Sequence, residues 1–165
     1  MRFQVGKLPH GLLERLLERY AVTDERGVVG PRVGEDCAVI DFGDRYLVAK
    51  TDPITFATED IAWYVLHINA NDVATMGARP RWFLCTALLP EGIAEGEVEG
   101  LFASLSRAAE ELGVSLCGGH TEITYGLDRP ILVGQMLGEV EKDRLVRSDG
   151  ARPGDAILLT KGLAI

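Results

Sequence analysis

The fold is decided by residues 59 to 80, which read EDIAWYVLHINANDVATMGARP. Residues 59 to 76 are nearly all apolar over a length typical of a helix, which predicts a helix buried in the core. Gly77 can end this helix, and Pro80 lies just beyond it, where a helix does not continue. The rest of the chain is organised on either side of this core helix.

Strands and helices alternate before and after the core helix. Further helices are predicted over residues 9–20 and 95–112, and strands over residues 37–41, 45–51, 81–89, 114–117 and 131–140. The first two strands flank Phe42-Gly43-Asp44, which is a hairpin turn signal. Alternating strands and helices with one hairpin predict an α/β or α+β fold with a mixed β-sheet.

The segments outside these elements are rich in glycine. Residues 21–36 show little periodicity and predict a loop that stays mobile until a ligand such as a phosphate chain orders it. Residues 148–155 resemble a linker, and residues 156–160 begin another apolar strand. We therefore expect residues 1–150 to form one domain and residues 151–165 to be the start of a truncated second domain.

Composition limits the class of protein. The chain has 165 residues, of which 47% are hydrophobic and 25% charged, as in a soluble globular domain. A net charge of -8 argues against binding to nucleic acid or to an anionic membrane. No run approaches the roughly 20 apolar residues of a membrane span, and the first residues do not resemble a signal peptide. We expect a cytoplasmic protein.

Three aspartates carry the predicted chemistry, because each lies in a segment otherwise suited to burial. Asp36 and Asp52 flank the hairpin, and its antiparallel strands should make these two carboxylates neighbours. Asp72 lies in the core helix. Since buried carboxylates need a compensating positive charge, and oxygen ligands suit Mg²⁺, we expect the three to hold Mg²⁺ on a nucleotide phosphate.

Two asparagines accompany the aspartate of the core helix. Asn69 and Asp72 are three residues apart and share a helix face, and Asn71 lies beside them. These residue types are poor helix formers, so helix stability does not explain them. They could instead form hydrogen bonds to neighbouring loops. Together with Asp36 and Asp52, the metal interpretation is favoured.

A second polar segment, Gly118-Gly119-His120-Thr121-Glu122, follows a predicted strand. The paired glycines would let the backbone approach a ligand, although the same pair is common in turns. Lys50 could reach a phosphate or could simply be solvated at the end of its strand. Neither a P-loop nor a Gly-x-Gly-x-x-Gly pattern is present in the sequence.

At these residues the sequence resembles the N-terminal domain of the aminoimidazole ribonucleotide synthetase (PurM-like) superfamily. The segments that carry the resemblance are Gly34-Glu35-Asp36-Cys37-Ala38-Val39, Thr51-Asp52-Pro53, Asn69-Ala70-Asn71-Asp72-Val73-Ala74-Thr75-Met76-Gly77-Ala78-Arg79-Pro80 and Gly118-Gly119-His120-Thr121-Glu122. That group includes the hydrogenase maturation protein HypE, thiamine-monophosphate kinase and selenophosphate synthetase. The match runs from the first helix to Lys161-Gly162 and is most similar to HypE-like proteins.

The resemblance implies a mixed sheet with helices on one face, an ATP site, and a homodimer whose two sheets form a barrel. Asp36, Asp52 and Asp72 would then hold Mg²⁺, Asn69 and Asn71 would support the same site, and the loop of residues 27–35 would close over ATP. The implied ATP-binding set also includes Gly34, Lys50, Gly118, Gly119 and Thr121.

One departure from the family pattern concerns the catalytic residues. Where thiamine-monophosphate kinase has a metal-binding Asp in a Gly-Asp-Thr motif, this chain has His120. The fourth carboxylate must then come from Glu122 or be missing, and the resemblance makes His120 and Glu122 the candidate catalytic residues.

The function that follows is the ATP-binding and dimerisation half of a HypE-like enzyme that uses Mg-ATP to phosphorylate an amide-type or other oxygen. The acceptor would be a small molecule or a protein C-terminus. Alternatives are a thiamine-monophosphate kinase-like or aminoimidazole ribonucleotide synthetase-like enzyme, and a non-catalytic nucleotide-sensing dimerisation module. A two-metal phosphatase or nuclease is a further alternative, against which the acidic surface argues.

Overall fold

The computed structural model describes residues 2–159. Within them the helices are α1 (His10–Tyr20), α2 (Ile61–Thr75) and α3 (Glu95–Leu112), followed by a 3-10 turn over Lys142–Arg144. The strands are β1 (Gly27–Val29), β2 (Ala38–Asp41), β3 (Arg45–Ile54), β4 (Arg79–Pro90), β5 (Ser115–Thr124) and β6 (Ile131–Glu141).

The six strands form one mixed sheet in the order β1-β2-β3-β6-β4-β5. Only the β4–β5 pair is parallel within this sheet, and the other neighbours are antiparallel. Helix α2 packs on β3, β6 and β4, and α3 packs on β5 and α2. Phe83, Cys85 and Ala87 of β4 are buried, and the residues between them are partly exposed. Helices α2 and α3 therefore cover one face of the sheet, which confirms the predicted fold class.

Two glycines of β6 let the core helix lie close to the sheet. A methyl group added at Gly134 would lie 2.5 Å from Asn69 Nδ2 on α2 and 2.8 Å from the Phe83 ring. A methyl group at Gly138 would lie 2.5 Å from Val73 Cγ1 on the same helix. Because neither glycine has a side chain, the apolar face of α2 can pack directly against the backbone of β6.

The structure differs from the predicted elements around β1 and β5, and β3 runs to Ile54 rather than ending at residue 51. Residues 27–29, predicted as loop, form β1 and pair with β2. The strand predicted to end at residue 117 continues through Gly118 and Gly119 to Thr124, so the turn alternative for the glycine pair is wrong. Gly119 has φ +151°, and a methyl group there would lie 1.9 Å from the Cys85 carbonyl oxygen. Close backbone packing between β4 and β5 explains this glycine.

The C-terminal segment does not continue the sheet as far as the structure describes it. Residues 155–159 belong to no helix or strand, so the strand predicted over residues 156–160 does not form at its first four residues. Thr160 and Lys161-Gly162 lie outside the described residues, and the predicted domain boundary at residue 150 stays a prediction. Among the described helices, none is long and apolar enough to cross a membrane.

The close approach of α2 to β6 can be tested at one glycine. Gly134→Ala should lower the free energy of unfolding by about 1–3 kcal/mol, because the new methyl group displaces Asn69 and the Phe83 ring. Gly100→Ala on α3 is the matched control, since nothing lies within 4 Å of the added methyl group. It should be neutral or stabilise by up to about 1 kcal/mol. Urea unfolding measures both, and equal effects would contradict this packing.

Candidate functional site

The predicted carboxylates converge on one buried lysine. The side chain of Lys50 is 6% exposed, and its Nζ lies 2.8 Å from Asp72 Oδ2. The same nitrogen lies 3.5 Å from Asp52 Oδ2 and 3.6 Å from Asp36 Oδ1. The hairpin and the core helix thus bring Asp36, Asp52 and Asp72 together as the sequence predicted. We call these four residues the Lys50 cluster.

Three separate elements build the Lys50 cluster. Lys50 lies on β3 directly opposite Met136 of β6, so the two side chains are on the same face of the sheet. Met136 is fully buried on the face covered by α2, and the Lys50 side chain therefore also points toward α2. Asp52 lies two residues further along the same strand and therefore on the same face. Asp72 comes from α2, and Asp36 comes from the loop just before β2. Because the contacts need all three elements in place, the cluster forms only with the tertiary fold.

The charges of the Lys50 cluster do not balance. Burial alone would lower the pKa of Lys50, but its hydrogen bond to Asp72 and the charges of Asp52 and Asp36 outweigh burial. The pKa of Lys50 is therefore above its usual value, and the ammonium stays charged at neutral pH. One ammonium among three carboxylates leaves an excess of negative charge. The alternative in which Lys50 is merely solvated at a strand end is wrong.

Asn69 connects the core helix to the strand that carries Asp52. Its side chain is fully buried, and its Nδ2 donates to the Val65 carbonyl at 2.7 Å and the Asp52 carbonyl at 3.3 Å. Its Oδ1 has no hydrogen-bond partner among the described residues. Asn69 therefore ties α2 to the backbone at Asp52, and its support of a metal site stays a prediction.

The carboxylate oxygens of the Lys50 cluster suit a cation that is also bound by the phosphate oxygens of a nucleotide. Within residues 2–159, no three Asp, Glu, His or Cys side chains are arranged to hold a metal ion by themselves, since the aspartates point at Lys50 Nζ. Mg²⁺ commonly takes one or two carboxylates and completes its shell with phosphate oxygens and water. The side chains of Asp36 and Asp52 are 71% and 42% exposed and fit that mode.

His120 and Glu122 lie away from the Lys50 cluster. His120 Nε2 is 3.1 Å from Glu122 Oε2, and both side chains are about half exposed or more. They pair with Thr86 and Leu88, the positions of β4 on the sheet face opposite α2. β5 is three strands from β3, or about 14 Å. Within one chain, Glu122 therefore does not supply a fourth carboxylate to the aspartates.

The remaining predicted residues are spread over the domain. Asn71 is exposed on α2, and its side chain forms no hydrogen bond within the described part of the chain. Gly34 has φ +90° in the loop before β2, where a left-handed conformation favours glycine. Gly118, Gly119 and Thr121 line a cavity of about 430 Å³ between β5 and α3. Among the side-chain hydrogen bonds and ion pairs of the described structure, none joins these residues to the Lys50 cluster.

The fold and the Lys50 cluster define a mixed α/β domain with a negatively charged polar site between a hairpin and its core helix. Residues 34–140 match the family described as AIR synthase related protein, N-terminal domain. This match covers more than half of the chain, and the chain belongs to that family.

Relatives and solved structures agree with the family assignment. The chain is 29% identical over 171 residues to a protein of Methanocaldococcus jannaschii described as a hydrogenase expression/formation protein, covering 97% of this chain and 51% of that protein. It is 34% identical over 164 residues to the selenide, water dikinase of Geobacter metallireducens, covering 96% of this chain and 43% of that enzyme. The structure of the hydrogenase maturation protein HypE in complex with ATP aligns with a TM-score of 0.59 and 30% identity. That alignment covers 86% of this chain and 39% of HypE. The chain thus spans about half the length of the curated relatives it matches.

Proposed function

We propose that this chain is the ATP-binding and dimerisation half of a HypE-like enzyme, which uses Mg-ATP to phosphorylate an amide-type or other oxygen. The observation that carries the proposal is the Lys50 cluster, which offers partly exposed carboxylates beside a buried ammonium. Family membership and the likeness to an ATP complex of HypE support the same ligand.

Each residue of the Lys50 cluster has a distinct task in this proposal. Lys50 holds the three carboxylates together before any ligand binds, because its ammonium offsets part of their repulsion. Asp36 and Asp52 present exposed oxygens toward solvent, whereas Asp72 is 24% exposed and fixes Lys50 at 2.8 Å. Mg²⁺, when bound, would neutralise charge on the phosphates and orient them for transfer. Positioning and charge compensation are the contributions of this chain.

The acceptor is proposed without support from a specific contact, since the chain spans only about half the length of its relatives. A small molecule or a protein C-terminus remains the proposed acceptor. The likeness to a selenide, water dikinase favours a second candidate, in which the same Mg-ATP site serves another phosphoryl transfer, as in kinase-like or synthetase-like members. A nucleotide-sensing dimerisation module would use the same site without catalysis. A two-metal phosphatase or nuclease stays an alternative, and the net charge of -8 argues against nucleic acid as its substrate.

A homodimer forms the second part of the proposal. The face of the sheet opposite α2 and α3 carries partly exposed apolar side chains, including Leu84, Leu88, Val133 and Leu137. A second copy packed against this face would cover them and shield strand edges. His120 and Glu122 lie on the same face, so their proposed catalytic role depends on what covers it.

The nucleotide site can be tested by thermal stability. Mg-ATP should raise the melting temperature, because a ligand at 100 times its Kd adds about 2.7 kcal/mol to the free energy of unfolding. ATP without Mg²⁺ should raise the melting temperature little. Asp72→Asn should remove most of this gain and also destabilise the ligand-free chain, because Lys50 loses its nearest partner.

The control for this test is Asp128→Asn, an exposed aspartate paired only with its neighbour Arg129 in the described structure. It should keep the full gain from Mg-ATP. Calorimetry that gives the same Mg-ATP affinity for Asp72→Asn and the unmodified chain would contradict the assignment.

The dimer can be tested by sedimentation at micromolar concentration, where the chain should have about twice the monomer mass. Val133→Asp places a charge in the centre of the open sheet face and should produce monomers. Val22→Asp is the control, because Val22 is 96% exposed outside the sheet. A monomeric unmodified chain, or a dimer that survives Val133→Asp, would show that this face is not the interface.

A further inference from the structure

Residues 147–149 hold the glycine-rich loop that carries Asp36. Arg32 Nη2 donates to Asp149 Oδ2 at 3.2 Å across 117 positions of sequence. Arg147 donates to both carboxylate oxygens of the same Asp149, at 2.9 and 3.0 Å. Ser148 Oγ donates to Glu35 Oε1, which also accepts from Arg32 Nε at 3.1 Å. We call these five side chains the loop latch.

Glu35 is the buried centre of the loop latch. Its side chain is only 4% exposed, although it belongs to a loop on the surface. A carboxylate in this position needs donors, and Arg32 and Ser148 supply them. One of these donors comes from the loop itself, and the other comes from the segment after β6. The loop conformation therefore depends on the later segment.

Burial of Glu35 fixes the direction of its neighbour Asp36. Glu35 and Cys37 are both buried on either side of Asp36, whose side chain is 71% exposed. Asp36 Oδ1 in this arrangement lies 3.6 Å from Lys50 Nζ. If Glu35 left its site, the backbone that aims Asp36 at the Lys50 cluster would lose its anchor.

Residues 144–146, just before the loop latch, contact the C-terminal end of the core helix. Val146 N donates to the Met76 carbonyl at 3.0 Å. Gly77 packs so closely that an added methyl group would lie 2.5 Å from the Arg144 carbonyl oxygen. Asp72 lies on α2 one turn before this contact. A single stretch of chain after β6 thus contacts both elements that supply Asp36 and Asp72.

We propose that residues 147–149 belong to the nucleotide site as positioning residues, which hold Asp36 in place for a metal-bound phosphate through Arg32 and Glu35. The role rests on the proposed function, because it concerns how tightly the same site binds Mg-ATP. Residues 148–155 resemble a linker in sequence, but Ser148 and Asp149 form hydrogen bonds to the loop that carries Asp36.

The test uses Asp149→Ala, with Asp149→Glu as the conservative variant and Arg144→Ala as the control. Arg144 pairs with Glu141 at 3.2 Å in a neighbouring exposed ion pair outside the loop latch. Without ligand, Asp149→Ala should speed amide hydrogen exchange in residues 30–36 at least several-fold and leave β3 and β6 unchanged. In calorimetry it should weaken Mg-ATP binding about tenfold, or about 1.4 kcal/mol, and leave metal-free ATP binding unchanged.

The outcomes distinguish a failure of the positioning role from a failure of the proposed Mg-ATP site. Partial recovery by Asp149→Glu, with Arg144→Ala unchanged in both measurements, supports the positioning role. Unchanged exchange in residues 30–36, or equal losses with and without Mg²⁺, overturns it while the Mg-ATP site stands. Failure of the unmodified chain to bind Mg-ATP overturns the proposed function itself, whatever the exchange rates show.

Discussion

The ion pairs of the buried Lys50 ammonium join three elements of the domain. A lysine with a 6% exposed side chain is tolerated only with carboxylate partners, and removing one partner of a buried pair typically costs about 3–5 kcal/mol. Three partners here come from β3, from α2 and from the loop before β2. Meeting the charge requirement of one side chain therefore fixes the relative positions of three elements.

The sheet that carries this cluster has two faces with different tasks. Gly134 and Gly138 bring α2 against one face, and the Lys50 cluster lies where the helix meets the hairpin. The other face carries apolar residues of β4 and β6 together with His120 and Glu122. The Lys50 cluster thus lies on the helix face, and the open face is available for assembly in the proposed dimer.

Much of this arrangement follows from local sequence rules. Helix α3 has the predicted bounds, because its amphipathic pattern is strong and Gly113 ends it with φ +64°. The neighbouring positions of Asp36 and Asp52 follow from the geometry of an antiparallel hairpin. What could not be predicted depends on distant parts of the chain. The course of β5 through Gly118 and Gly119 is set by parallel pairing with β4, the burial of Lys50 by Asp72 on α2, and the order of the glycine-rich loop by Asp149.

The position of the bound metal would decide whether the Lys50 cluster is the nucleotide site. Crystals grown with Mn²⁺ and a non-hydrolysable ATP analogue would give an anomalous difference peak for the metal. We expect a peak within coordination distance of carboxylate oxygens of the Lys50 cluster, with Asp36 or Asp52 as a direct ligand and phosphate oxygens completing the shell. A peak beside His120 and Glu122, or nucleotide bound with no metal near the Lys50 cluster, would contradict it.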